Sequence, residues 1–168
     1  PTGYGKCALP TTMVRTPKGI TTLENIAVGD EVYSMDKNEL VVQKVTNKWY
    51  TRKKQVKIKT RGGIEITVSP EHRMYTQRGY VKAEDLSCDD YMYRLCKKDF
   101  VWEGIKSIEF IDEITDMIDI EVENTHNFIA NDLVSHNSLS DAFMQSWIFG
   151  IDIDNDVLKI CGNDKFTD

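Results

Sequence analysis

Val56-Lys57-Ile58-Lys59-Thr60-Arg61-Gly62-Gly63-Ile64-Glu65-Ile66-Thr67-Val68 sets two β-branched runs on either side of a glycine pair. β-branched side chains are stiff at χ1 and suit a pleated, half-buried surface, and Arg61-Gly62-Gly63 supplies a turn, so the stretch reads as a β-hairpin. The same texture extends outward. Val28-Gly29-Asp30-Glu31-Val32-Tyr33 and Leu40 to Val45 precede the hairpin. Tyr80-Val81-Lys82, Tyr91 to Leu95, Val101 to Phe110, Asp116 to Val122 and Asn127-Phe128-Ile129 follow it. Asn131-Asp132 is a turn signal before a last strand, Leu133 to Ser135. Helix is confined to a turn at Thr22 to Ile26 and another at Ala83 to Leu86. From Thr12 to about Asp132 the expected fold class is therefore all-β.

After Asn137 the pattern changes. Ser138 to Phe149 places Leu139, Ala142, Phe143 and Trp147 at helical spacing, with Ser138 or Ser140 as a cap and Gly150 as a stop. An acidic loop, Asp152 to Asp156, leads to an apolar strand, Val157 to Cys161. The composition therefore divides at the Asn137–Ser138 bond.

The chain of 168 residues carries 40% apolar and 10% aromatic residues, enough for one well-buried domain. Its 21 basic and 27 acidic residues give a net charge of -6, which offers no general attraction for nucleic acid or an anionic membrane. No stretch approaches the roughly 18 apolar residues of a membrane span, and Pro1 to Lys6 lacks the features of a signal peptide. The expectation is a soluble, cytoplasmic monomer. Cys7, Cys88, Cys96 and Cys161 form no C-x-x-C pair and are too few for a disulfide framework, so a reducing compartment fits them best. Cys88 and Cys96 read as ordinary small residues, and no zinc site or other cofactor is expected.

Charge is segregated within the β region. Lys48 to Arg61 holds seven basic residues and no acidic one, and Glu109 to Glu123 holds seven acidic residues and no basic one. Two solvated faces, two strands attracting each other, or a basic nucleic-acid patch are all open readings; the patch ranks last, since Trp49 and Tyr50 are its only stacking aromatics.

Val134-Ser135-His136-Asn137, followed by the hydroxyl of Ser138, carries the chemistry. An asparagine amide can attack its own backbone carbonyl and cut the bond to the next residue, with an imidazole before it to move protons and a nucleophile after it to accept an acyl group. Far upstream, Cys7 follows Gly5-Lys6. A thiol is intrinsically nucleophilic, but with a reference pKa of about 8.5 it needs a proton acceptor and a fixed geometry to attack the carbonyl of Lys6.

Four blocks of the chain resemble those of inteins, the self-splicing segments of the Hint (hedgehog/intein) superfamily. Cys7 to Val14, leading to Gly29-Asp30, is similar to the N-terminal block. Gly63 to His72 is similar to the block with a Thr-x-x-His motif, Ser69 standing where threonine is usual. Ile118 to Asn131 is similar to the third block, and Val134 to Ser138 to the last. The blocks span Cys7 to Asn137 in order, 131 residues. The resemblance implies a horseshoe of short, mostly antiparallel strands at 7–137, between an N-terminal flank 1–6 and a C-terminal flank 138–168. It also implies roles. Cys7 forms a thioester with Lys6, with His72 protonating the departing amide nitrogen and Ser69 stabilising the oxyanion. Asp119 couples the two ends, Ser138 takes over the acyl group, and Asn137 cyclises with help from His136 and His126. Only 41 residues, Arg73 to Glu113, separate the second block from the third, too few for a nuclease domain.

Removing residues 7–137 joins Lys6 to Ser138 and creates Gly-Lys-Ser before a helix, the end of a Walker A loop. In that product Gly5, Lys6 and Ser138 would serve nucleotide phosphate and magnesium. The flanks thus resemble pieces of a P-loop ATPase such as a phage terminase large subunit. The partners implied are the flanks themselves, or a complementary fragment if the segment is made in two pieces. Two rival readings remain: a P-loop nucleotide-binding fragment with a non-splicing β insertion, and a hedgehog-type autoprocessing domain, which would need neither Asn137 nor Ser138.

Overall fold

The computed structural model describes residues 6–137 and 158–161. The expected flank helix at 138–149, together with Gly5 and Ser138, lies outside these residues. The described chain consists of twelve strands and two 3-10 turns. In order they are β1 (Met13–Thr16), β2 (Gly19–Thr22), β3 (Glu31–Asp36), β4 (Glu39–Thr60), β5 (Glu65–Val68), β6 (Arg73–Thr76), β7 (Gly79–Lys82), β8 (Tyr91–Cys96), β9 (Asp99–Val122), β10 (Asn127–Ala130), β11 (Leu133–His136) and β12 (Leu158–Ile160). The 3-10 turns, Leu23–Asn25 and Ala83–Asp85, fall inside the two helical turns expected from the sequence.

Two long strands organise the sheet. β4 runs for 22 residues and β9 for 24, antiparallel to each other from Val45↔Val122 to Thr60↔Ile105 with bulges along the way. The sequence reading had cut each into two, because Lys48 to Lys54 and Asp112 to Asp116 contain no buried residue and show no apolar alternation. Cross-strand pairs hold this exposed middle instead: Arg52–Asp116 at 3.1 Å and Lys54–Asp112 at 2.8 Å. The basic and acidic blocks are thus neighbouring strands. The strand expected at Val28 to Tyr33 begins later, at Glu31, since Gly29 adopts φ +98° and Asp30 turns the chain by accepting the Ala27 N–H at 2.8 Å.

Short strands wrap the rest in the order β2-β1-β10-β11-β6-β8-β9-β4-β3, with β5 on β4 and β7 on β6. The hairpin around Gly62-Gly63 forms as expected, pairing Lys59 with Glu65 and Val56 with Val68. A continuous core of Val14, Leu23, Val56, Ile58, Ile66, Met74, Leu86, Met92, Ile108 and Ile120 fills the inside of the curved sheet. The described helical segments are too short to cross a membrane.

Four-residue strands β1, β2 and β6 were invisible to periodicity, yet they belong to a repeat. Thr16, Gly19, Leu23 and Asp30 recur at a constant offset as Thr76, Gly79, Ala83 and Asp90. Thr16 Oγ1 donates to Gly19 O at 2.6 Å and Thr76 Oγ1 to Gly79 O at 2.7 Å. Leu23 N–H donates to Thr12 O and Ala83 N–H to His72 O, both at 2.7 Å. The protein is built from two copies of one β unit, each closed by its own 3-10 turn.

Candidate functional site

Cys7 lies where the two copies meet. Ala8 bridges Val68 at the end of β5 and Ile118 on β9, exchanging hydrogen bonds with Ile118 at 3.0 and 2.8 Å. Ser69 N–H donates to Cys7 O at 2.8 Å, and the Cys7 N–H, part of the Lys6–Cys7 peptide, donates to Ser69 Oγ at 3.0 Å. Ser69 thus meets the nitrogen of the Lys6–Cys7 peptide. The extended path of 7–9 between two strands leaves Cys7 fully buried. Burial first, then the carboxylate of Asp119, raise the Cys7 thiol well above the usual thiol range. At neutral pH it is a thiol that requires a base.

His72 follows in a tight turn, its N–H donating to Ser69 O at 3.0 Å. Its ring stands against the Lys6 backbone, and Nε2 lies 2.7 Å from Ser135 Oγ. Burial lowers its pKa to about 4, so the imidazole is neutral. Lys6 is itself buried, and burial, with Arg73 nearby, lowers its ammonium to about 8.

The C-terminal end arrives on the β10–β11 hairpin, which pairs Asn127 with His136 across the Asn131-Asp132 turn. Those two turn residues adopt φ +50° and +68°, the twist that two-residue hairpins require. His126 also has a positive φ, +55°, uncommon for a side chain of its size. Its neighbour Asn127 holds the bend, accepting Ser34 Oγ at 2.7 Å and Met35 N–H at 2.8 Å while donating to Met35 O at 2.9 Å. The His126 carbonyl then accepts the Asn137 N–H at 2.9 Å.

Asn137 is 0% exposed, and neither its amide nitrogen nor its amide oxygen has a hydrogen-bond partner among the described residues. An unpaired buried amide costs stability, so its presence calls for a reason other than folding. His136 presents its ring edge to Tyr80 at 4.8 Å between centroids. Burial, then the charges of Lys6, His72, Arg73 and His126, lower its pKa to about 3. That list of neighbours joins residues from both ends of the chain.

Of the residues singled out in the sequence, the fold brings Cys7, Ser69, His72, Asp119, His126, His136 and Asn137 into one neighbourhood. Five are almost wholly enclosed: Cys7, Ser69 and Asn137 at 0%, His72 at 1% and Asp119 at 2% exposure. Ser138 lies outside the described residues. Sequence reasoning missed Ser135, Asn127 and Tyr80, which contact the three histidines or their bends without resembling catalytic groups. Among the described residues no cluster of His, Cys, Asp and Glu could hold a metal ion.

One expectation about the cysteines is overturned. Cys88 is bonded to Cys161, 73 positions away. β12 adds to the edge of β9 through Leu158↔Glu109 and Ile160↔Ser107, which carries the buried Cys161 onto Cys88. Nothing in either cysteine's local sequence signals that pairing, because it depends on a strand from the far end of the chain. Among the described residues Cys7 and Cys96 take no part in a disulfide.

Residues 13–138 match the family model of the pretoxin HINT domain, a span that begins after Cys7. Over 57 residues the chain is 39% identical to the replicative DNA helicase DnaB of Rhodothermus marinus, covering 34% of this chain and 6% of that protein. It therefore spans a small fraction of this curated relative. The crystal structure of a DnaB intein from Synechocystis sp. PCC 6803 superposes with a TM-score of 0.74 at 24% identity, covering 79% of this chain and 99% of that one, a likeness of fold. The gp41-1 intein aligns with a TM-score of 0.70 at 34% identity over 78% of this chain and 98% of that one. With the family model spanning most of its length and an intein matched almost end to end, the chain belongs to the Hint family and is an intein, of a kind that carries out splicing-type autoprocessing.

Proposed function

We propose that residues 7–137 excise themselves and join Lys6 to Ser138, making 1–6 and 138–168 the flanks of one host protein. The observation that carries this reading is the single buried imidazole of His72, which touches the Lys6 backbone on one side and the strand leading to Asn137 on the other. In the first step Cys7 Sγ attacks the Lys6 carbonyl carbon. The thiol gives up a proton, the C–S bond forms, the C–N bond breaks and the Cys7 nitrogen gains a proton. The raised thiol pKa makes a base necessary, and Asp119 is the carboxylate that acts on Cys7. Neutral His72 moves the proton to the nitrogen, and Ser69 fixes that nitrogen by accepting its N–H.

Next the Ser138 hydroxyl attacks the thioester, forming an ester and returning the Cys7 thiol. Asn137 Nδ2 then attacks the Asn137 carbonyl carbon, closing a succinimide and releasing the Ser138 amine. A histidine with a pKa near 3 is a poor source of a full proton, so His136 acts here as a neutral N–H polarising the scissile carbonyl, with His126 receiving the amide proton. The amine finally captures its own ester, giving the Lys6–Ser138 peptide.

The joined flanks read Gly5-Lys6-Ser138, and we assign the host to the P-loop ATPases, with a terminase motor as the specific candidate. The intact precursor is accordingly inactive towards ATP. Intact-mass analysis after expression tests the reading: an excised 131-residue species with a succinimide C-terminus and a ligated flank are expected. A stable unprocessed chain under the same conditions would refute splicing and favour a structural insertion.

A further inference from the structure

The bond between His72 and Ser135 enters none of the steps above, although both residues are at most 1% exposed and no solvent can replace either. We propose that Ser135 is a positioning residue for the N-terminal reaction: its hydroxyl donates to His72 Nε2 and so keeps the imidazole proton on Nδ1, facing the Lys6–Cys7 peptide. This inference rests on the splicing reading and deepens it.

A neutral imidazole has one N–H and one lone pair, and the partner of one nitrogen decides which form the other takes. The Lys6 carbonyl beside the ring can only accept, whereas the Ser135 hydroxyl can donate or accept. One arrangement suits both neighbours: the hydroxyl donates to Nε2, and the proton stays on Nδ1, which makes no hydrogen bond of its own among the described residues. The other acceptor within reach of Ser135 Oγ is Met74 Sδ at 3.4 Å, a weak thioether that competes poorly for the proton. Register makes the contact obligatory, because Ser135 pairs with Met74 on β6, two residues beyond His72.

The consequence reaches across the protein. Ser135 lies two residues before Asn137, so the strand that delivers the C-terminal junction also sets the proton of the N-terminal one. A displaced β11 would leave the imidazole free to take the other tautomer, with a lone pair where the reaction needs a donor. Cleavage at Lys6–Cys7 is thereby tied to correct seating of the C-terminal strand.

The test isolates the N-terminal step by working with the full chain carrying Asn137→Ala, and timing cleavage at Lys6–Cys7 by added thiol. Adding Ser135→Ala is expected to slow cleavage by about tenfold or more, whereas Ser135→Thr, which keeps the hydroxyl, stays within about threefold. ¹⁵N NMR of labelled imidazoles should show His72 as the Nδ1–H form, and a mixture in Ser135→Ala. Equal rates for the two substitutions, or an Nε2–H form in the chain with Ser135 intact, would overturn the proposal. The NMR measurement decides even if neither variant folds. If the Asn137→Ala chain with Ser135 intact gives no cleavage by thiol at all, the splicing reading fails instead.

Discussion

The two copies of the β unit share the backbone contacts of their turns and differ in what they hold. Thr12 and His72 occupy the same place: each donates its N–H three residues back, to Leu9 O and Ser69 O at 3.0 Å, and each carbonyl accepts from the following 3-10 turn. Leu9 and Ser69 are equivalent too, as are Cys7 and Thr67. The N–H of Leu9 reaches Thr67 O at 3.3 Å, and that of Ser69 reaches Cys7 O at 2.8 Å. The lesson is that the scaffold dictates where a reactive side chain can stand without dictating that one stands there. In the proposed reaction the first copy contributes the nucleophile and the second contributes the histidine and hydroxyl that serve it.

The sharpest way to break the equivalence is to exchange the chemistry and keep the backbone. His72→Ala should lower thiol-induced cleavage at Lys6–Cys7 by about a hundredfold or more, the usual size of a lost proton carrier. Thr12→Ala removes the 2.6 Å bond from Thr12 Oγ1 to Leu9 O and should cost about 1 kcal/mol of stability with the rate unchanged. Cleavage assays beside chemical denaturation separate the two. Equal loss of rate in both variants would mean that His72 acts only as packing.

pH should distinguish the copies as well. His72 has a folded pKa of about 4, below the ordinary value of 6.5, so the unfolded chain binds the proton more readily. Its contribution to stability is intact above pH 6.5 and is lost as pH falls towards 4, at up to about 1.4 kcal/mol per pH unit. His72→Thr, which makes the second copy like the first, should flatten the dependence of urea midpoint on pH over that window. For the same reason, cleavage in the unaltered chain should show no acid limb near pH 6.5. A limb centred there would contradict a neutral, buried His72.

A smaller asymmetry lies at Asp30 and Asp90. Both turn the chain before a strand, accepting the N–H of Ala27 and of Ser87 at 2.8 Å. Asp90 alone is buried and gripped by Arg78, Nε and Nη2 reaching its two oxygens at 2.8 and 2.9 Å. The Arg78 hydrogen bond lowers its pKa to about 2. Asp90 should therefore stabilise the fold above pH 3.8, with the effect lost as pH falls towards 2. Asp90→Ala is expected to cost about 1 to 2 kcal/mol, reduced by the half-exposed arginine, and Asp30→Ala only a few tenths. Comparable midpoints for the two variants would erase the distinction.

Reading the sequence recovered what is local. The Gly62-Gly63 hairpin, the Asn131-Asp132 turn and both 3-10 turns are written in their own residues, and the three histidines, each inside an intein-like block, are conspicuous. The doubled architecture escaped notice because it is carried by backbone bonds around a few recurring residues such as Thr16 and Thr76. The long strands were broken in the reading because their middles, with no buried residue on either face, are held by charge pairing rather than by burial. Ser135 looked like an ordinary strand residue. Only the return of β11 beside β6 gives its hydroxyl a histidine to meet.

The least effect on the chemistry is expected at Val28 and Cys88, again equivalent positions. Val28 is 59% exposed, whereas Cys88 is bonded to Cys161. Cys88 belongs to the proposed excised segment and Cys161 to the C-terminal flank, so the disulfide ties the segment to the product it should leave. Neither sulfur lies among the residues assigned to the reaction, and cutting the bond should not alter the yield of ligated flank. On a gel without reductant, the 131-residue segment should run joined to the ligated flank, and with reductant the two should part. Cys88→Val, which copies the first unit, should release the segment under both conditions. Free segment from the unaltered chain without reductant would show that β12 leaves β9 before the sulfurs join, and that the two copies treat this position alike.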